Sequence, residues 1–204
     1  MEMDATGKSR GQWIFHDEFE KTLNYLTDQK KILGFNPFCH SVEQLDDASA
    51  YRWLFRVTDP QKNPFDVIFN VKQENELLLE IPASEAACIN VAELTDEMIS
   101  EYTVGRKITW RHHPVEDSLN DPANYKFEGK ASADMLLMPL AGGKTRVDFD
   151  LTIDVKFILY PAFRIIPEQL IRMMTNAGMS FIMQTATNKM FQSISDDFGT
   201  VRQM

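Results

Sequence analysis

The stretch KTRVDFDLTIDVKF (144–157), joined by a proline-punctuated connector to PEQLIRMMTNAGMSFIMQTATNKMFQSISDDF (167–198), decides the fold. In the first segment Val147, Phe149, Leu151, Ile153 and Val155 alternate with Asp148, Asp150, Thr152 and Asp154. Successive side chains of a strand point to opposite faces, so this is a half-buried strand with one apolar side. In the second segment Pro167 sits where a helix's first turn tolerates proline, because the N–H it lacks would have no partner there. Leu170, Met174, Gly178, Phe181 or Ile182, Met190, Ile194 and Phe198 follow as a broad helical stripe. Thirty-odd residues of helix span roughly 45 Å at 1.5 Å per residue. A helix with so wide a stripe needs a cover, and a curved sheet containing the preceding strand supplies one.

Upstream, Tyr51, Trp53, Phe55 and Val57 alternate with Arg52, Arg56 and Thr58, and Phe65, Val67, Phe69 and Val71 alternate with Asp66, Asn70 and Lys72. The turn TDPQKNP (58–64) between them predicts a hairpin. QENE (73–76) reads as a further turn, with Leu77, Leu79 and Ile81 continuing the meander. Phe38–Leu45 is a strand ending in the turn DDAS (46–49). Arg106–His112 and Phe127–Met138 are two more, the latter with Ala131, Ala133, Met135 and Leu137 on one face. AGGK (141–144) supplies a Gly-Gly turn suited to positive φ. Within 82–105, ELTDEMISEYTVG (93–105) predicts a short helix with Thr95 as N-cap and Gly105 as stop, and HPVEDSLNDPANY (113–125) predicts a long polar loop.

At the start of the chain, residues 1–11 read as a flexible tail and QWIFH (12–16) as the first strand. Asp17 and Glu20 stand at capping-box spacing before Phe19, Leu23 and Leu26, and Thr27 or Asp28 recaps a second short helix ending at Gly34. Residues 12–204 form a single domain, because the final helix requires the sheet to cover it.

Composition narrows the function. The chain of 204 residues is 44% hydrophobic, with 14 Phe and 11 Met, which is ample for a large core. Its formal net charge of −9 would repel phosphates, so it has no electrostatic footprint for nucleic acid. Two cysteines, Cys39 and Cys88, make no disulfide framework and fit a reducing compartment. The polar opening residues show no apolar core of a secretory signal, and the last helix is interrupted by Arg172, Asn176, Gln184, Asn188 and Lys189. These features lead us to expect a soluble cytoplasmic protein.

No catalytic motif is legible: GxSxG, HExxH and CxxC are all missing, and Gly142-Gly143 lacks the context of a phosphate loop. His112 and His113 are adjacent on a strand and so point to opposite faces, as do Cys39 and His40, which argues against a shared metal. No metal and no cofactor is expected. His112 lies in phase with Trp110 and is the one side chain there that titrates near neutrality, which makes it the candidate polar anchor or acid/base. Asp148, Asp150 and Asp154 lie opposite the apolar face and read as solvated charge.

The element order is a strand, two short helices, about six further antiparallel strands and a long terminal helix. This α+β order resembles the START-like superfamily (SRPBCC, the helix-grip fold of the birch-pollen allergen), in which a curved antiparallel sheet of six to seven strands wraps around the terminal helix. PFDVIFNVKQENELLLEI (64–81) and RIIPEQLIRMMTNAGMSFIMQTATNKMFQSISDDF (164–198) also resemble a family of unknown function from cyanobacteria and plants. The superfamily resemblance implies a cavity between the concave sheet and the helix that holds a lipid, pigment, polyketide or similar apolar molecule. Trp53, Phe55, Phe69, Trp110, His112, Met135 and Phe149 would face it from the sheet, and Met174 and Phe181, with Met183, from the helix. Binding or carriage of a hydrophobic small molecule is the function it implies. The alternatives are a cyclase or aromatase using the same cavity through His112, and an interaction module that docks a protein or a membrane surface through FILYPAFRII (157–166).

Overall fold

The computed structural model describes residues 2–58, 64–80, 95, 99, 102–116, 120–158 and 167–201. In chain order these form β1 (Glu2–Phe15), α1 (Phe19–Leu26), α2 (Gln29–Gly34), β2 (Cys39–Gln44), β3 (Ala50–Thr58), β4 (Pro64–Leu79), β5 (Thr103–His112), β6 (Lys126–Leu140), β7 (Lys144–Ile158) and α3 (Glu168–Val201). The strands make one sheet in the order β1-β7-β6-β5-β4-β3-β2. Neighbours run antiparallel, with one short exception. Beyond the end of β5, Asp66–Phe69 of β4 pair directly and in parallel with Lys126–Gly129 of β6. That closure curves the sheet, and Gly129 permits it: a Cβ there would lie 2.5 Å from Cε1 of Phe69 and 2.9 Å from the Asp154 carbonyl oxygen. The β6–β7 turn carries Gly142 at φ 79° and Gly143 at φ 65°, as the Gly-Gly pair requires.

The strand and helix that opened the sequence reading are both present, and the α+β helix-grip architecture stands on this topology. α3 runs for 34 residues, about 51 Å at the helical rise. Its C-terminal half is the most deeply buried part of the helix. Phe191 and Ile194 are fully buried, Trp13 stacks on Phe191 with ring centroids 3.6 Å apart, and Phe198 meets Tyr25 edge-on at 4.8 Å. Its N-terminal half presents Leu170, Met173, Met174 and Phe181 to solvent. No described helix is long and apolar enough to cross a membrane.

Several expectations are corrected. Residues 2–11 are not a tail: β1 begins at Glu2 and pairs with β7 through Phe15, opposite Thr145. Its buried side begins with Met3 and continues through Ala5, Gly7 and Ser9, small residues that hydrophobic alternation does not flag. QENE (73–76) is not a turn but the middle of the continuous strand β4, paired in order with Trp110, Thr109, Ile108 and Lys107 of β5. The capping box at Asp17 does not form, since the N-cap is Glu18 and Asp17 instead takes an ion pair from Lys21 at 2.7 Å. The second recap is right, with the Asp28 side chain accepting from the Lys31 N–H. The helix expected over 93–105 lies largely outside the described residues. Ile99 N–H does donate to the Thr95 carbonyl at 2.9 Å, yet Gly105 belongs to β5 and stops no helix. The apolar strip 157–166 is likewise outside them beyond Ile158.

Candidate ligand cavity

The concave face is set by register. Trp53 pairs with Phe69, Phe55 with Val67 and Val57 with Phe65, so the inward residues of β3 and β4 form rows of facing aromatic and β-branched groups. Phe55 and Phe69 meet edge-on at 5.8 Å, and Phe65 and Phe127 at 6.1 Å. On β6 and β7 the inward pairs are Gly129–Val155, Ala131–Ile153, Ala133–Leu151 and Met135–Phe149. Three of these four β6 residues are glycine or alanine. They leave the space below α3 unfilled, where larger residues would have reached the helix.

The result is a cavity of about 1010 Å³ between the sheet, α2 and α3. It reaches the upper end of the range usual for small-molecule sites. Its wall from α3 consists of Ile171, Met174, Thr175, Met179, Ile182, Met183, Ala186, Thr187 and Met190. Four methionines there give a flexible lining that adapts to its contents. Gln29, Ile32 and Leu33 of α2 close the buried end, and Tyr125, Met174 and Ile182, all more than one-third exposed, mark the open rim. Among the described residues no Asp, Glu, Lys, Arg or His contributes to the lining.

Seven of the nine residues proposed from sequence line this cavity: Trp53, Phe55, Phe69, Trp110, Met135, Phe149 and Met174. Two do not. Phe181 is 74% exposed on the outer face of α3, since the helix turns its inward stripe through Met179, Met183 and Met190 instead. His112 is half-buried and is not part of the wall. It is the last residue of β5, paired with Val71, at the point where the strand is squeezed out between β4 and β6. Alternation gives a side chain's direction only while the ladder continues. The Nδ1 of His112 is buried with no hydrogen-bond partner among the described residues.

Sequence reasoning missed Gln29 and Met179. Gln29 was hidden because it sits at a helix start, where polar residues are ordinary. Its Oε1 accepts from Trp53 Nε1 at 2.9 Å, and its Nε2 donates to Gln73 Oε1 at 2.6 Å.

The charged groups lie on the other face of the sheet. Gln12 Nε2 donates to Asp148, Arg10 pairs with Asp150 at 3.7 Å, and Thr6 Oγ1 donates to Asp154 at 2.6 Å. Asp134 takes Arg111 at 2.7 Å and Lys107 at 3.3 Å. Partial burial alone would raise the Asp134 pKa, but the hydrogen bonds from the two cations outweigh it and hold the carboxyl below the usual range. Cys39 is a free thiol pushed up to about 11 by burial, which leaves it protonated and a poor nucleophile. Among the described residues no three His, Cys, Asp or Glu side chains converge on a metal position.

Fold and site together define an α+β helix-grip protein with a mostly apolar cavity. No family model matches the chain. No curated protein matches it in sequence. Among solved structures it is similar to the human StAR-related lipid transfer protein 5, at 14% identity and TM-score 0.49, over 90% of this chain and 74% of that one. It is also similar to a protein of unknown function from Staphylococcus aureus, at 8% identity and TM-score 0.47, over 96% and 98% of the two chains. A START superfamily protein from Mycobacterium smegmatis matches at 13% identity and TM-score 0.40, over 87% and 98%.

Proposed function

We propose that this chain binds and carries a hydrophobic small molecule, lipid-, pigment- or polyketide-like, in the cavity between its sheet and α3. The observation that carries this reading is a space of about 1010 Å³ whose lining, among the described residues, holds no charged side chain. An apolar molecule placed there leaves water for a surface of aromatic rings and thioethers, and each Å² of apolar area removed from water contributes about 25 cal/mol. The ring of exposed Tyr125, Met174 and Ile182 at the rim offers an apolar way in.

The cyclase or aromatase alternative required an acid/base group inside the cavity, and His112 was its candidate. With His112 off the wall, no observation favours that reading. Docking through 157–166 falls outside the described residues beyond Ile158.

The test is native mass spectrometry of the purified chain, followed by thermal denaturation with panels of lipids and pigments. A co-purifying apolar molecule, or a rise in Tm that saturates with one ligand class, is the expected result. An interior filled by side chains at high resolution, with no Tm response to any class, overturns the proposal.

A further inference from the structure

The buried end of the cavity is polar in one sense only. Gln29, the first residue of α2, is 2% exposed and forms part of the wall. Gln73 lies on β4 directly across from Trp110. Trp53 Nε1–H donates to Gln29 Oε1, and Trp110 Nε1–H donates to Gln73 Oε1, each at 2.9 Å. Gln29 Nε2 donates to the same Gln73 oxygen at 2.6 Å.

An indole nitrogen can only donate. Each tryptophan therefore fixes the orientation of the amide it faces, because turning either glutamine over would set N–H against N–H. Gln73 Oε1 already accepts twice. What remains uncommitted is mainly donors: the second Nε2 hydrogen of Gln29 and both Nε2 hydrogens of Gln73 find no acceptor among the described residues. A buried donor without an acceptor is costly and rare in folded proteins. Gln29 Nε2 spends one hydrogen on Gln73 and keeps the other, in the wall of a mostly apolar cavity.

We propose that this end takes a neutral hydrogen-bond acceptor, the carbonyl of a ketone, ester or amide, carried at the leading end of the hydrophobic ligand and accepting from Gln29 Nε2. This rests on the carrier reading above and narrows it. A carboxylate does not fit, because no cation among the described residues lines the cavity and a buried charge without a partner is strongly disfavoured.

Three matched probes test it: undecane, 2-undecanone and undecanoate, each titrated against a neutral apolar dye bound to the full chain. In a purely hydrocarbon pocket the ketone binds more weakly than the alkane, because its carbonyl loses water and gains nothing. Here the ketone is expected to bind at least as tightly as the alkane, and the carboxylate more weakly than both. In Gln29→Met the ketone loses about three- to tenfold in affinity while the alkane is unaffected. A ketone weaker than the alkane on the unaltered chain, a carboxylate tighter than both, or a Gln29→Met that leaves the ketone unchanged overturns this inference and leaves the carrier reading standing. If neither the dye nor the alkane binds, the carrier reading itself falls. Should Gln29→Met fail to fold, the comparison of probes on the unaltered chain decides the matter.

Discussion

The backbone N–H of Thr6 donates to Oδ1 of Asn176 at 2.9 Å, and it is the first of a series. Lys8 N–H donates to Ser180 Oγ at 3.1 Å and Arg10 N–H to Gln184 Oε1 at 3.0 Å, while Gln184 Nε2 returns a bond to the Arg10 carbonyl at 2.8 Å. Every second residue of the edge strand β1 meets every fourth residue of α3. The two repeats nearly match: two strand residues advance about 6.6 Å and four helical residues about 6.0 Å. The helix thus caps the sheet edge that would otherwise offer unpaired N–H groups to another chain.

Gln184 makes the strongest link, because its amide imitates a neighbouring strand with one bond each way. Gln184→Ala is expected to cost about 1–2 kcal/mol in denaturant unfolding. Its signature is local: the Arg10 amide should lose hydrogen-exchange protection more than amides in the centre of the sheet. Unchanged protection at Arg10 would show that the helix does not hold this edge.

This clasp also explains what could and could not be read in advance. The long alternations of β3, β4 and β7 were legible because Trp, Phe and Val are large and mark a face. β1 has an equally regular pattern, but its inward members are Ala5, Gly7 and Ser9, chosen for closeness to α3 instead of for bulk. A Cβ on Gly7 would fall 2.3 Å from Met183 Sδ and 2.8 Å from Met179 Cγ. Hydrophobic periodicity does not register a face that is inward because it is small. The helix of α3 misled for the opposite reason: apolar residues occur around most of its first half, so periodicity alone assigned Phe181 inward. On the sheet, the candidate residues lie in the cavity wall wherever the ladder continues, and His112, where it ends, does not.

Gly129 tests the closure of the sheet. Its position leaves no room beside Phe69 Cε1 at 2.5 Å or the Asp154 carbonyl oxygen at 2.9 Å, and the latter is backbone that cannot swing away. Gly129→Ala is expected to destabilise by about 1–3 kcal/mol, the usual range for overpacking. Gly142→Ala would be costly for a different reason, the φ of 79°, and should leave dye binding intact. An equilibrium unfolding curve for Gly129→Ala that overlays the unaltered chain would contradict the close approach of β4, β6 and β7.

Acid should loosen the join between α1, α2 and α3. Asp197 accepts from the Tyr25 hydroxyl, and Lys31 stands 3.1 Å away. The Tyr25 hydrogen bond, then that of Lys31, holds the Asp197 carboxyl below its ordinary 3.8. On unfolding that value is restored, so between the two pKa values the unfolded chain binds more protons and stability rises with pH. The contribution is complete above about pH 5, shrinks below the unfolded value and is lost as pH passes through the depressed folded one. Tyr25→Phe removes the leading cause. Its Tm should fall short of the unaltered chain's at pH 6, and the gap should narrow by pH 2. A gap that is constant across this range would assign the tyrosine a packing role against Phe198 alone.

Filling the cavity distinguishes empty space from packed core. Ala133 is 2% exposed, pairs with Leu151 and lies in the cavity wall. In a core at normal density, added methylenes force neighbours off their rotamers and cost about 1–3 kcal/mol. In the wall of a real cavity the same atoms enter vacant volume and gain contacts. Ala133→Leu is therefore expected to leave stability within about 0.5 kcal/mol or to raise it, whereas Val147→Phe, buried on the same sheet but away from the cavity, should lose about 1–3 kcal/mol. Dye binding should respond inversely, weakened in Ala133→Leu because the leucine occupies ligand space. If Ala133→Leu is as damaging as Val147→Phe, the residues under α3 pack against one another and there is no chamber for a ligand to enter.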